Sequence, residues 1–136
     1  MVHYAVAGCV DHSDFTICER LLDIMSTALP DITVEKEPVS HERWQNRVLE
    51  LAQLHGFSPI GKRDLKIAQV LVWRVGRLVA HRAEEFELYV VETYGLALDL
   101  DKVQVEAYTQ ANARALAGDG TDKDSKQSIT EKTIID

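Results

Sequence analysis

The chain has 136 residues, of which 46% are hydrophobic, and this length and composition predict one globular domain rather than a disordered chain. The formal net charge of −7 argues against nucleic acid and against an anionic membrane surface, since both are bound through basic protein surfaces. No apolar run approaches the roughly 20 residues of a membrane span, and the first residues lack a secretory leader pattern, so we expect a cytoplasmic protein.

The first residues predict a strand, a helix and a second strand. An apolar strand covers residues 3–7 and ends at Gly8. Ser13 is expected to cap the helix that follows, and Pro30-Asp31 ends it. Apolar residues recur at helical spacing along this segment and predict its buried stripe, namely Ile17, Leu21, Ile24 and Ala28.

The next segments alternate in the same way between strand and helix. Residues 32–37 form a half-exposed strand, which Pro38 is expected to close. A second helix is predicted from a Ser40 cap to about His55, with Gly56 as its C-terminal stop. Its buried face would consist of Trp44, Val48 and Leu51.

The middle of the chain predicts a loop and a hairpin. We interpret residues 57–69 as a loop that could hold a helical turn. Residues 70–75 are apolar on both faces, which favours a central strand covered on both sides. Gly76-Arg77 fits a two-residue type II′ turn, after which residues 78–81 return antiparallel.

Two further helices and a polar segment complete the pattern. The third helix runs from about Ala83 to Tyr94 and stops at Gly95, with Phe86, Val90 and Tyr94 facing inward. The fourth runs over about residues 99–116, and its predicted packing face is Val103, Ala107, Ala111 and Ala115. We expect residues 1–118 to form the domain and residues 119–136 a polar tail that is disordered in the isolated monomer.

The order of these elements is βαβ, α, ββα and an extra helix. A right-handed crossover makes the first two strands parallel, and the hairpin makes the last two antiparallel. The sequence therefore predicts an α/β fold of the thioredoxin-like type: a mixed four-stranded sheet with flanking helices, an extra C-terminal helix and the polar tail.

The junction between the first strand and the first helix carries the chemistry of catalytic thioredoxin-type domains. A reactive cysteine stands there because the helix N-terminus stabilises its thiolate. In this chain the junction is formed by His12, Ser13, Asp14 and Phe15. We therefore expect this to be a degenerate redox motif and the protein not to be an enzyme.

Cys9 and Cys18 are the only cysteines, and their spacing does not suit a redox pair or a disulfide framework. We expect both to be core residues. A zinc site of His3, Cys9, His12 and Cys18 would lack the ligand spacings that identify such sites, so no metal is expected.

Cofactor motifs are also missing. Gly8 follows the first strand without the further glycines of a dinucleotide loop, and Gly61-Lys62-Arg63 lacks the spacing of a P-loop. No cofactor, nicotinamide included, is therefore expected. His41, His55 and His81 have no catalytic partner that the sequence can assign.

Short features from Tyr4 to about Leu116 are shared with one thioredoxin-like family. They are Ala7-Gly8, Asp11, Leu29-Pro30-Asp31, Trp44, Val72-Trp73-Arg74, Glu85-Phe86 and Tyr89. On these residues the chain resembles the N-terminal domain of the malate dehydrogenase 1B-like proteins, a paralogue group associated with motile cilia. In that family a cysteine can stand at the position of His12, and a proline precedes the third strand, where this chain has Gln69-Val70.

The resemblance implies a non-catalytic structural or docking component of a large protein assembly, namely a ciliary or flagellar axoneme. The polar tail would contact the partner proteins through Ile129, Ile134 and Ile135. Two alternatives stay open: a degenerate glutaredoxin-like, glutathione-binding enzyme that uses Cys9, and a regulatory subunit of a metabolic complex.

Overall fold

The structure, a computed structural model, describes residues 1–57 and 67–119. Its elements in chain order are β1 Val2–Cys9, α1 Ser13–Ala28, β2 Ile32–Val39, α2 His41–His55, β3 Val70–Arg74, β4 Arg77–Ala80, α3 Ala83–Tyr94 and α4 Lys102–Asp119. The strands form a four-stranded sheet in the order β2-β1-β3-β4. β1 and β2 are parallel, whereas β1–β3 and β3–β4 are antiparallel. This is a thioredoxin-like α/β arrangement with α4 as an extra C-terminal helix, and the predicted fold class is confirmed.

β1 separates two apolar clusters, because successive side chains of a strand point to opposite faces of the sheet. Tyr4 and Val6 pack against α1 and α3 in a first cluster, which also contains Phe15, Leu22, Met25, Phe86 and Val90. Ala5, Ala7 and Cys9 belong to the second cluster on the α2 face, with Trp44, Val48, Leu51 and Trp73. β3 likewise contributes to both clusters, so it is covered on both sides as predicted.

The sequence had suggested that Gly8 and Pro38 end their strands. In the structure neither residue does so. β1 continues through Gly8 to Cys9, and β2 continues through Pro38 to Val39, with Gly8 and Pro38 as partners in the register. β2 lies at an edge of the sheet. An edge strand tolerates a residue without an N–H group, because one side of its backbone has no neighbouring strand.

The start of α1 differs by one residue from the prediction. Ser13 is already the first helical residue, and His12 is the N-cap, whose Nδ1 accepts the backbone N–H of Asp14 at 3.2 Å. α2 has the predicted bounds, from its N-cap Ser40 to Gly56 in the left-handed conformation, although the Ser40 side chain makes no capping hydrogen bond. Trp44, Val48 and Leu51 are its buried residues, as predicted.

The hairpin turn also shifts by one residue. Arg74 and Arg77 are register partners, so the turn consists of Val75 and Gly76, and Gly76 has a φ of 71°. A type II′ turn needs its positive φ at the first central position. The predicted Gly76-Arg77 turn is therefore wrong, while the antiparallel return of β4 is confirmed.

α3 has the predicted bounds, with Phe86 and Val90 buried and Gly95 as its left-handed C-cap. Tyr94 is half-buried, and its hydroxyl group lies 2.7 Å from that of Tyr4, which also contacts the Tyr89 hydroxyl at 2.8 Å. These three phenols connect α3 to the central strand.

α4 begins at Lys102, later than predicted, because its cap lies at Asp101. The Asp101 carboxylate accepts the Gln104 N–H at 2.8 Å, and the Gln104 side chain accepts the Asp101 N–H at 2.9 Å, which forms a reciprocal capping box. Asp99 lies before the helix and holds Arg20 of α1 through two hydrogen bonds of 2.8 and 2.6 Å. The helix extends to Asp119, one residue into the predicted tail.

The predicted packing face of α4 is wrong: the side chains of Val103, Ala107, Ala111 and Ala115 are exposed. The side that contacts α1 carries Val105 and Thr109, with the Thr109 hydroxyl 2.6 Å from that of Thr16. Asn112 donates to Glu19 at 3.1 Å on the same side. Alanine methyl groups give a helix little apolar direction, so polar contacts with α1 select the face.

Residues 58–66 and 120–136 lie outside the described residues, and with them most of the predicted loop and the partner contacts Ile129, Ile134 and Ile135. Across the part of the chain that is described, no helix combines the length and the apolar character needed to cross a membrane.

Candidate functional site

The β1–α1 junction is where a catalytic thioredoxin-like domain would hold its nucleophile, and its residues have structural contacts instead. His12 caps α1 through Nδ1. The Asp14 carboxylate accepts the backbone N–H of Ala83 at the start of α3, at 3.3 Å. Phe15 is buried beneath β1 and packs against Gly8. Ser13 is exposed. The junction therefore has no thiol, and three of its four side chains contribute to the fold.

Gly8 is explained by this packing and not by a phosphate. A Cβ atom at position 8 would lie 2.6 Å from Cδ1 of Phe15 and 3.1 Å from the carbonyl oxygen of Gln69. Only glycine lets β1 pass this close to α1 and to the segment before β3. The other glycine-containing candidate, Gly61-Lys62-Arg63, lies outside the described residues.

The two cysteines lie on opposite faces of the sheet and cannot act as a pair. Cys9 belongs to the α2-side cluster and is 2% exposed, whereas Cys18 belongs to the α1-side cluster and is 0% exposed. Both are free thiols. Burial raises the pKa of each thiol, that of Cys18 well above its ordinary value, so both stay protonated and weakly nucleophilic at neutral pH. Their predicted burial in the core is confirmed.

Cys9 has a neighbour that the sequence did not assign. Its Sγ atom lies 3.8 Å from Nδ1 of His41, and the ligand atoms of Cys9, Asp11 and His41 all lie within 4.8 Å of one another. Cys9 ends β1 and His41 opens α2 directly after β2, while Val10 N–H donates to the Val39 carbonyl at 2.9 Å. The signal in the sequence was the parallel pairing of the two strands, since parallel strands bring their carboxyl ends to one edge.

The zinc combination considered from the sequence is not assembled. His3 lies at the other end of β1, where Nδ1 contacts the Thr33 hydroxyl at 2.8 Å. Cys18 lies across the sheet from Cys9. Neither residue can therefore share a metal with Cys9.

The remaining histidines have packing and pairing roles. The His55 ring lies 5.4 Å from the Phe57 ring and 5.1 Å from the Trp73 ring, measured between centroids. His81 Nδ1 lies 2.7 Å from a carboxylate oxygen of Glu85, which also accepts the His81 backbone N–H at 2.9 Å. These contacts fix the ends of α2 and β4.

A groove of about 670 Å³ opens beside the β1–α1 junction, between the start of α1 and α4. Ile17, Leu98, Leu100 and Val105 form its apolar lining. Three carboxylates also line it, those of Asp11, Asp101 and Glu106, against one lysine, Lys102. The extra helix thus builds an acidic, apolar groove next to His12 and Ser13 of the β1–α1 junction. The groove was not predictable from the expected packing face of α4, because that face is exposed and the opposite one lines the groove.

The fold and the junction define a thioredoxin-like α/β protein without the reactive cysteine. Comparison with known proteins does not narrow this class, since no protein-family model matches the sequence and no curated protein is significantly similar to it. The relationship to the malate dehydrogenase 1B-like proteins stays a prediction that depends on the shared residues named above.

Proposed function

We propose that this protein is a non-catalytic thioredoxin-like docking module. The observation that carries the proposal is the β1–α1 junction, where His12 caps the helix in the place of a reactive cysteine. The two thiols of the chain do not replace that cysteine, because they are buried on opposite faces of the sheet.

The groove between α1 and α4 supports a binding role for the surface beside the β1–α1 junction. Its apolar lining suits aliphatic side chains, and its excess of carboxylates suits lysine or arginine. The net charge of −7 adds a long-range attraction for basic partners. The expected ligand is an apolar segment of another protein, flanked by basic residues.

A charge placed in the groove tests this proposal. Leu100→Lys puts an ammonium group among the apolar lining residues, whereas Val103→Lys places the same group at a site that is 76% exposed and outside the groove. The full chain serves as bait in a lysate of its own organism, and proteins captured by each variant are quantified by mass spectrometry. A partner retained by the wild type and by Val103→Lys should be lost from Leu100→Lys.

The partner must then bind directly. A purified partner segment with the expected composition should bind the wild type, and Leu100→Lys should weaken that binding at least about tenfold, since a charge buried in an apolar contact costs more than 1.4 kcal/mol. Equal capture by both lysine variants, at unchanged melting temperature, contradicts docking in the groove.

The second part of the proposal concerns the protein assembly in which the module docks. The resemblance to a cilium-associated family supports a place among axonemal proteins of a cilium or flagellum. A fluorescent fusion of the full chain in a ciliated or flagellated cell of its organism should follow the axoneme and persist after detergent extraction. A diffuse signal that detergent removes contradicts this placement and leaves the docking proposal standing.

The contact between Cys9 and His41 favours one second candidate, a degenerate glutathione-binding enzyme, because an imidazole can activate a thiol. Titration of the isotopically labelled protein with glutathione separates the two functions. The docking proposal expects no saturable shifts in the amide signals near Cys9, and saturable shifts there favour the enzyme.

A further inference from the structure

We propose that Cys9, Asp11 and His41 form a zinc site with three protein ligands and an open fourth position. Their ligand atoms lie within 4.8 Å of one another, and Cys9 Sγ lies 3.8 Å from His41 Nδ1. With Zn–S near 2.3 Å and Zn–N near 2.0–2.1 Å, two ligands of a tetrahedral zinc lie about 3.6 Å apart. The thiol–imidazole distance of 3.8 Å is therefore within a few tenths of an ångström of this geometry.

The fold brings the three residues together from two separate segments. Cys9 is the last residue of β1, and its register partner Val39 is the last residue of β2, immediately before the Ser40 cap and His41. Asp11 lies two residues past Cys9, in the loop before α1. The site thus lies outside the carboxyl ends of two parallel strands, where open α/β sheets bind their ligands.

The donor set and its surroundings suit a divalent cation of borderline softness. Thiolate sulfur, imidazole nitrogen and carboxylate oxygen are all ordinary zinc ligands. Burial raises the pKa of the Cys9 thiol, and the carboxylates of Asp11 and Glu42 raise it further. They disfavour a bare thiolate, and a bound cation reverses that repulsion.

Burial differs among the ligands in a way that leaves a route for the ion. Cys9 is buried, whereas Asp11 and His41 are exposed. Zinc can reach the thiol from the side of these two residues, and water can occupy the fourth position. Binding deprotonates the Cys9 thiol, and its proton leaves to solvent, so the affinity should rise with pH.

Cobalt titration of the reduced, metal-free full chain tests the site directly. Co²⁺ should bind with a stoichiometry of one and give a thiolate-to-cobalt charge-transfer band together with the intense visible bands of tetrahedral coordination. Zinc should displace the cobalt and abolish these bands. His41→Ala and Asp11→Asn, both at exposed positions, should each lower the affinity at least about tenfold.

Two variants serve as matched controls. His3→Ala removes an exposed histidine at the opposite end of β1, and Cys18→Ala removes the other thiol, on the other face of the sheet. Both should keep the cobalt spectrum. Zinc should also raise the melting temperature of the wild type and not that of His41→Ala, since a ligand stabilises only the state that binds it.

Absence of the charge-transfer band overturns the proposal, as does a band that survives His41→Ala or disappears in Cys18→Ala. The groove variant Leu100→Lys keeps all three ligands and should bind zinc normally. Failure of the zinc site and failure of the docking function are therefore distinguishable.

Discussion

The two faces of the sheet are packed with side chains of different sizes, although β1 contributes residues to both faces. On the α1 side it places Tyr4, Val6 and Gly8, of which the first two are large and the last leaves room for Phe15. On the α2 side it places Ala5, Ala7 and Cys9, all small, next to the bulky residues Trp44 of α2 and Trp73 of β3. The α1 side is also tied by polar contacts, among them Thr16–Thr109 and Arg20–Asp99.

This difference shows which contacts support a thioredoxin-like fold whose β1–α1 junction carries no cysteine. The face under α1 depends on Phe15 and Asp14, which belong to the β1–α1 junction. The face under α2 holds Cys9, whose Sγ atom lies 3.8 Å from Nδ1 of His41. The contacts of the β1–α1 junction and the Cys9–His41 contact therefore lie on opposite sides of one sheet.

The largest effect should come from Gly8→Val on the α1 face. Its Cβ would lie 2.6 Å from buried Phe15, and two further methyl groups would overfill the same space. We expect the free energy of unfolding to fall by about 3 kcal/mol, measured by urea denaturation. Ala97→Val, at an exposed site, is the matched control and should change it by less than about 0.5 kcal/mol. Similar losses for both variants contradict the tight contact.

On the α2 face, Trp44→Phe should have the next largest effect. The Trp44 indole Nε1–H donates to the Ala68 carbonyl at 2.7 Å, and both residues are buried. Phenylalanine keeps an aromatic ring but removes this donor and part of the volume, so we expect a loss of about 2 kcal/mol in the same denaturation experiment. A loss as large as that of Gly8→Val would show that the α2 face is as tightly packed as the α1 face.

Tyr4→Phe should make unfolding less dependent on alkaline pH. Burial raises the pKa of Tyr4 above its ordinary value of 10.0, and hydrogen bonds to Tyr89 and Tyr94 raise it further. The unfolded chain therefore releases this proton first, so the stability that Tyr4 contributes is present below pH 10 and is lost as the pH rises above it.

At neutral pH the variant should lose about 1 kcal/mol for the missing hydroxyl contacts. Above pH 10 its free energy of unfolding should decline less steeply than that of the wild type. Parallel slopes in the two proteins would show that the Tyr4 phenol does not stay neutral in the folded state.

The smallest effects on stability are expected at the N-terminal caps of α1 and α2, which lie on opposite faces of the sheet. His12 caps α1 through its side chain, whereas Ser40 precedes α2 without a side-chain capping bond. His12→Ala should therefore lower the stability by about 0.5–1 kcal/mol. Ser40→Ala and Ser13→Ala should each cost less than about 0.5 kcal/mol. A larger loss for Ser13→Ala than for His12→Ala would show that Ser13 caps α1, as the sequence suggested.

The elements with strong local signals were predictable from the sequence. α2 and α3 are followed by Gly56 and Gly95 in the left-handed conformation, so their ends coincide with the prediction. The residues of β3 are apolar on both faces of the strand, and this pattern predicted its central position. These signals lie within a few residues of the elements that they define.

Other features depend on contacts between distant segments, and for that reason the sequence did not reveal them. The packing face of α4 is set by polar contacts such as that of Thr109 with Thr16, and not by its alanine residues. Pro38 is tolerated because β2 lies at an edge, which only the strand order determines. The approach of His41 to Cys9 joins residues 32 positions apart and requires the parallel pairing of β1 and β2.

The most direct test of a non-catalytic module is disulfide reduction by the reduced full chain, with insulin and a glutathione mixed disulfide as substrates. The absence of a thiol at the β1–α1 junction and the burial of both cysteines predict no turnover above the rate of the reductant alone. Turnover that Cys9→Ser abolishes, in a variant with unchanged circular dichroism, would contradict this proposal.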